Sequence, residues 1–275
     1  MHTKRKLRIG IVGCGAIGGS LAKEIVSNLF RDASLAALYD IRPEKSLALA
    51  RRIKKSGKLC ARSLDTLIKR SELVIEASSS LAAWQISRKS LSAGRDIMVM
   101  SVGGMVGHLA SLHSLAEKNN ARVYFPSGAI SGIDALKAAN IGKVRKVVLT
   151  TRKSPKAFSG VEYVAKRFKL KDLKKDKVLF SGSASEAVKY FPQNINVAAV
   201  LGLAGIGMRK TQVRIIASPY VTKNIHEIEI VSDAARIFTR TENILHPQNP
   251  KTSYLAVLAA IATLKQILQP IKIGT

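Results

Sequence analysis

Apolar positions along the chain fall into two regimes. In the first half, short β-branched runs alternate with stretches of helical periodicity. Leu7 to Val12, LRIGIV, predicts a first strand, which leads through Gly13-Cys-Gly15-Ala-Ile-Gly18 into the helical pattern LAKEIVSNL. SLAALYD predicts a second strand ending at Asp40. KLCARS, before the helix LDTLIKR, continues the alternation as a third, and LVIEAS (Leu73 to Ser78) is the fourth. A helix from Leu81 to about Ser92, the fifth strand DIMVMS, a helix near Leu109 to Lys118 and the strand RVYFPSG complete the run. Strands separated by helices of this length predict an α/β fold: a parallel, doubly wound Rossmann sheet over residues 1–127.

After Gly128 the pattern changes. KVRKVVLTTRK and TQVRIIASPY read as long strands, and IHEIEIVSDAARIFTRTEN as a strand pair near a sheet edge. Long consecutive strands predict a second, α+β domain on a mixed or antiparallel sheet over 128–248. The segment NPKTSYLAVLAAIATLKQIL predicts a capped, apolar helix with Pro250 at its first position. That helix, within 249–275, is expected to pack back on the first domain.

Composition narrows the class. The 275 residues are 47% apolar and 5% aromatic, ordinary for a soluble α/β protein. No apolar run approaches the ~18 residues of a membrane span. The charged start followed by LRIGIV is interrupted by glycines and reads as a strand rather than a leader, so a cytoplasmic protein is expected. Cys14, in the glycine loop, and Cys60 suggest small buried fillers, with neither a disulfide framework nor a metal cluster. Forty-five Lys and Arg against eighteen Asp and Glu give a net charge of +27. The densest basic stretch, Lys166 to Lys177, lacks interleaved aromatics or a nucleic-acid motif and reads as a solvated helix or loop. No specific nucleic-acid partner is expected, although a positive field helps to collect a dianionic substrate.

The candidate chemistry starts at the glycine loop. Gly13 permits the tight turn, Gly15 lets a pyrophosphate approach the backbone, and Gly18 lets the helix pack on the strand. Asp40 lies twenty-two residues past Gly18, where a carboxylate can accept both ribose hydroxyls of NAD. Arg42 could meet a 2′-phosphate, which leaves NADP open. EASSS, from Glu76, and SVGG, from Ser101, close strands on the carboxyl edge where cofactors lie. Trp84 reads as core or domain contact.

GCGAIGG, SGAISGIDAL, TTRKSP, FSGSASEAVKYFPQNINVAA, HEIEI and NPKTSYLA together resemble the L-aspartate dehydrogenase family, over nearly the whole chain. The resemblance implies a Rossmann domain followed by a catalytic domain, and a homodimer. It implies NAD(P)-dependent oxidation of L-aspartate to iminoaspartate, which hydrolyses to oxaloacetate and ammonia or feeds quinolinate synthase in NAD biosynthesis. The basic Lys166–Lys177 insert is not part of the family pattern. The cofactor-binding residues so implied are Gly13, Gly15, Ala16, Ile17, Asp40, Ala129 and Asn196. Asn196 and Ala129 are expected near the nicotinamide, and a carboxamide there offers a donor and an acceptor without charge. Asn194 suits a helix cap.

Proton transfer at the amine calls for a group titrating near neutral pH, as an unperturbed histidine does. Among His2, His108, His113, His226 and His246, the resemblance picks His226 of HEIEI as catalytic. It could shuttle a proton to nitrogen or activate the water that attacks iminoaspartate. Lys251, Thr252 and Ser253 of NPKTS are candidates for the substrate carboxylates. An aspartate-semialdehyde dehydrogenase would need a nucleophilic cysteine in the second domain, and both cysteines fall in the first. Homoserine dehydrogenase fits the architecture without explaining FPQNIN and HEIEI. A non-catalytic NAD-sensing or nucleic-acid-binding protein is the rival from another class.

Overall fold

In the computed structural model the described residues are 5–191, 196–247 and 249–274, with the backbone alone described at Pro250 and Lys251. The chain divides into two compact units. Residues up to Pro126 and from Ala260 to Lys272 form the first; Ser127 to Ala259, with the last few residues, form the second.

The first unit runs β1 (Leu7–Val12), α1 (Ala16–Ser27), β2 (Ala33–Tyr39), α2 (Pro43–Arg52), α3 (Leu64–Arg70), β3 (Leu73–Glu76), α4 (Ser80–Ser92), β4 (Asp96–Val99), α5 (Leu109–Lys118) and β5 (Val123–Tyr124). All five strands are parallel, in the order β2-β1-β3-β4-β5. The order reverses between β1 and β3, the position at which doubly wound sheets bind their ligands. Every residue of β3 is buried, because both faces of the sheet are covered. Ile9, Ile11 and Ile75 pack on one face with Leu21 and Ile25 of α1, while Val74, Ile97 and Val99 pack on the other with Ile86 and Leu112.

The sheet has one strand fewer than the sequence pattern predicts. KLCARS forms a short 3-10 turn over Gly57–Leu59, capped by Ser56, and only Cys60 makes a parallel bridge, to Leu38. Ser63 already caps α3, so too few residues lie between the two caps to extend that bridge into a strand. The expected fourth and fifth strands are therefore β3 and β4. RVYFPSG shortens to Val123–Tyr124; Pro126 has no N–H to offer a ladder.

The second unit contains α6 (Ile133–Ala139), β6 (Val144–Lys153), α7 (Glu162–Ala165), β7 (Lys177–Ser183), α8 (Ala184–Tyr190), α9 (Asn196–Ala204), β8 (Gln212–Ala217), β9 (Asn224–Ser232), β10 (Arg236–Asn243), β11 (Leu245–His246) and β12 (Asn249–Ser253), and the start of α10 (Tyr254–Leu268). Its sheet is mixed, in the order β10-β9-β6-β8-β7, with only β6 and β8 parallel. Strand residues alternate as a one-sided sheet requires. Val147, Leu149, Ile215, Ile228 and Ile230 face a core shared with Leu136, Phe191 and Leu201. The other face carries ion pairs: Lys146 and Arg236 with Glu229, and Arg152 and Arg240 with Glu227.

Pro250 does not begin the last helix. Asn249–Ser253 instead pairs back on Leu245–His246 as an antiparallel strand, so the helix starts only at Tyr254. From Ala260 that helix belongs to the first unit, where Ala260 and Leu264 are fully buried in the cluster around Leu21 and Ile25.

Candidate active site

The glycine loop is shaped by close contacts. Gly13 holds φ at 95°, and a Cβ there would stand 2.3 Å from the Ala77 carbonyl oxygen. A Cβ on Gly18 would meet the Gly13 carbonyl oxygen, so α1 packs directly on the turn. Gly15 differs: its missing side chain would point into open space. Gly15 caps α1, whose first residues are Ala16 and Ile17; no side chain caps this end and no acid lies in its first turn. Backbone N–H groups at such a terminus suit an anion.

Asp40, just past β2, is tied to the same loop. Its Oδ2 accepts from the Cys14 N–H at 2.8 Å and its Oδ1 from the Arg42 N–H at 3.0 Å. Each oxygen keeps a lone pair for another donor. The cradle thus fits a dinucleotide, with a close-approach position, a helix N-terminus and a carboxylate at ribose spacing. Cys14 is buried, and burial followed by the neighbouring Asp40 pushes its pKa up to about 12, so the thiol stays protonated. Glu76, fully buried at the end of β3, accepts from Ser78 and Ser101, through both backbone and hydroxyl of each. EASSS and SVGG are therefore clamped together around one carboxylate.

In the second unit the chemistry gathers at one end of the sheet. β6 and β9 are antiparallel, and their register sets Thr151 opposite His226. His226 is 4% exposed, and its Nδ1 lies 2.9 Å from Thr151 Oγ1. Two residues further along the same face of β6 is Lys153, 8% exposed. Its backbone is fixed by the pairing with Ala217 and by a bond from the Ser218 N–H to its carbonyl at 2.9 Å. Burial pushes the Lys153 pKa down to about 8. Burial, and then the charge of Lys153, pushes that of His226 down to about 3. The imidazole is accordingly neutral across the physiological range, not poised near neutrality as an unperturbed histidine would be.

Ala129 is brought close to the same end of the sheet. Asn243, 1% exposed at the end of β10, donates from Nδ2 to the Ala129 carbonyl at 3.0 Å. Ser131 and Thr241 share a hydroxyl bond of 3.1 Å, and Thr241 lies opposite His226 on β9. Asn196 is the exposed first residue of α9, whereas Asn194 lies outside the described residues. Thr252 and Ser253 sit in β12; the Thr252 hydroxyl accepts from Asn249 Nδ2 at 3.0 Å, and Ser253 is buried. The Lys251 side chain lies outside the described residues. His246 is buried and meets the Tyr254 ring edge-on, while His108 stacks on Trp84 at 4.4 Å.

Thr151 and Lys153 are the residues that sequence reasoning left without a role. TTRK is one of the recognised motifs, and its alternation puts Thr151 and Lys153 on one strand face, but nothing local pairs that face with HEIEI.

Two family profiles match the chain: "Homoserine dehydrogenase, NAD binding domain" over residues 13–126 and "Aspartate dehydrogenase, C-terminal" over residues 134–267. The L-aspartate dehydrogenase of Methanosarcina barkeri is 44% identical over 272 residues, covering 98% of this chain and 100% of that one. The chain belongs to the aspartate dehydrogenase family. A more distant member, from Methanocaldococcus jannaschii, is 36% identical over the same shares of both chains. Among solved structures, aspartate dehydrogenase from Thermotoga maritima is 28% identical, covers 98% of this chain and 100% of its own, and superposes with a TM-score of 0.76. A scyllo-inositol dehydrogenase from Lactobacillus casei, 14% identical with a TM-score of 0.57, shares the fold of the aspartate dehydrogenase family across 100% of this chain and 91% of its own.

Proposed function

We infer that this protein oxidises L-aspartate to iminoaspartate with NAD or NADP, the imine hydrolysing to oxaloacetate and ammonia. The observation that carries this reading is the neutral, buried His226, held by Thr151 and neighboured by Lys153, in a member of this family that also has a dinucleotide cradle.

The cofactor, when bound, accepts the hydride that leaves Cα of aspartate. Gly13, Gly15, Ala16 and Ile17 present backbone to its pyrophosphate, Asp40 receives its ribose hydroxyls, and Ala129 and Asn196 take contacts near its nicotinamide. Oxidation also requires the substrate ammonium to lose a proton, so that the nitrogen lone pair can form the C=N bond as hydride departs. With Nδ1–H donated to Thr151 Oγ1, His226 presents the Nε2 lone pair for that proton. Once that proton has passed to solvent, the same lone pair takes a proton from the water that adds to the imine carbon. A base this hard to protonate needs help, because burial first, and then the neighbouring ammonium of Lys153, oppose an imidazolium. A bound dicarboxylate brings two negative charges, which offset that opposition and raise the basicity of His226 when substrate is present. Thr252 and Ser253, with Lys251, remain proposed contacts for the substrate carboxylates.

The family resemblance also supports a homodimer, a cytoplasmic location and delivery of iminoaspartate to quinolinate synthase. The deciding experiment follows NADH absorbance with oxaloacetate and ammonia, and with a panel of other 2-oxo acids. Oxaloacetate is expected to be preferred; a purified, folded protein that reduces none of them, or prefers a monocarboxylic oxo acid, overturns the reading.

A further inference from the structure

The end of the second unit's sheet opposite His226 holds an open cavity of about 890 Å³. Lys143, Arg145, Arg209 and Lys210 line it, together with Ser181 and Gln212. From Arg145 to Thr151, the partner of His226, strand β6 runs roughly 20 Å. Every lining residue belongs to the second unit, whereas the glycine loop and Asp40 belong to the first. We propose that this cavity is a binding site for a small oligophosphate, a molecule with two or more linked phosphoryl groups, separate from the site at His226.

Local structure delivers the cations to one concavity. Arg145 is the extra residue of a bulge: Val144 pairs with Ser232 and Lys146 with Val231, which leaves Arg145 outside the ladder. Bulges of this kind re-aim a side chain. Gly207, at φ 87°, turns the chain after α9 and leads Arg209 and Lys210 to the start of β8. Among the described residues none of the four cations forms an ion pair, whereas Lys146, next in the chain, pairs with Glu229. Two carboxylates bond to lining residues: Glu186 accepts from the Ser183 N–H at 2.8 Å, and Asp233 from the Lys143 N–H at 3.2 Å. Four cations against two carboxylates leave the cavity positive. Guanidinium groups meet phosphoryl oxygens in pairs, and lysines add point charge. Ser181 and Gln212 supply neutral donors, and Val144 and Ile206 add apolar surface for an organic body. Linked phosphoryl groups reach several of these cations at once, as a single phosphate does not.

The test uses the full chain saturated with NADH, so that the dinucleotide cradle is filled, and measures pyrophosphate binding by calorimetry at constant ionic strength. One saturable site per chain is expected. The double variant Arg145→Gln/Arg209→Gln should weaken it roughly 10–100-fold, the scale of lost charge-assisted hydrogen bonds. Lys169→Gln/Lys171→Gln removes the same charge from exposed residues outside the cavity. It should change binding by less than about twofold, because salt screens charges that do not touch the ligand. Arg145 and Arg209 are exposed as well, and a melting curve checks that both double variants fold. ADP in place of pyrophosphate distinguishes the source of the ligand. Tighter binding of ADP assigns the apolar surface to a nucleoside body, and equal or weaker binding assigns the site to free oligophosphates. A folded wild type that binds no pyrophosphate, binds sulfate equally well, or loses binding equally in both double variants overturns the proposal. So does a DNA duplex that displaces pyrophosphate at physiological salt, which would give the cavity to nucleic acid instead.

Discussion

At the scale of single residues, His226 carries the sharpest expectations. His226→Ala should leave NADH binding and folding close to wild type while lowering turnover ~10²-fold or more, the usual loss for a general acid–base group. A histidine with only a packing role would behave the other way, with a lowered melting temperature and normal turnover per folded molecule. Turnover measured beside a melting curve separates the two. The same residue makes a pH prediction. Its folded pKa, about 3, lies below its ordinary value of 6.5, so between these pH values the unfolded chain binds a proton that the folded chain refuses. Stability contributed in this way is present above about 6.5 and is lost as pH falls toward 3. His226→Asn should flatten that part of the denaturation midpoint against pH, and an unchanged acid slope would show that the histidine is not held neutral by burial.

At the scale of elements, Asp40 joins the end of β2 to the glycine loop through the Cys14 N–H. That double duty complicates cofactor choice. If the carboxylate also receives the ribose, Asp40→Ala should weaken NAD more than NADP, because only NAD presents a free 2′-hydroxyl. Dissociation constants for both cofactors decide it: equal losses mean that Asp40 acts only by shaping the loop. The elements also explain which expectations held. The α/β class, the parallel first sheet and the mixed second sheet were legible, since β-branched runs, helix spacing and the glycine loop are local signals. The third strand and the Pro250 helix start were not. KLCARS lacked the room between two caps to form a ladder, and Asn249–Ser253 found a strand partner that no local pattern announces.

For the whole molecule, the charge of +27 sets long-range behaviour, a positive field that attracts polyanions of any sequence. Lys166 and Lys177 bracket a stretch that the structure forms mainly as loop leading into β7, and no helix among the described residues is long and apolar enough to cross a membrane. Binding to DNA should therefore be independent of sequence and should fall steeply with salt, as counterion release requires. Titration of two unrelated duplexes at several salt concentrations tests this, and tight, sequence-selective binding at physiological ionic strength would count decisively against it.

By itself the sequence determined what is written locally or in family motifs: the first-half strand–loop–helix order, the spacing of Asp40, and His226 within HEIEI. The tertiary structure decided what depends on residues far apart in the chain. Thr151 and His226 are separated by 75 positions, and only the β6–β9 register makes them hydrogen-bonding neighbours. Lys153 is one basic residue among many until the sheet turns it toward the core. Burial, and then the charge of Lys153, hold His226 neutral, a protonation state set by the fold and not by the residue type alone. Composition and periodicity constrain a residue's immediate neighbours; dielectric environment and cross-strand pairing exist only once the chain has folded.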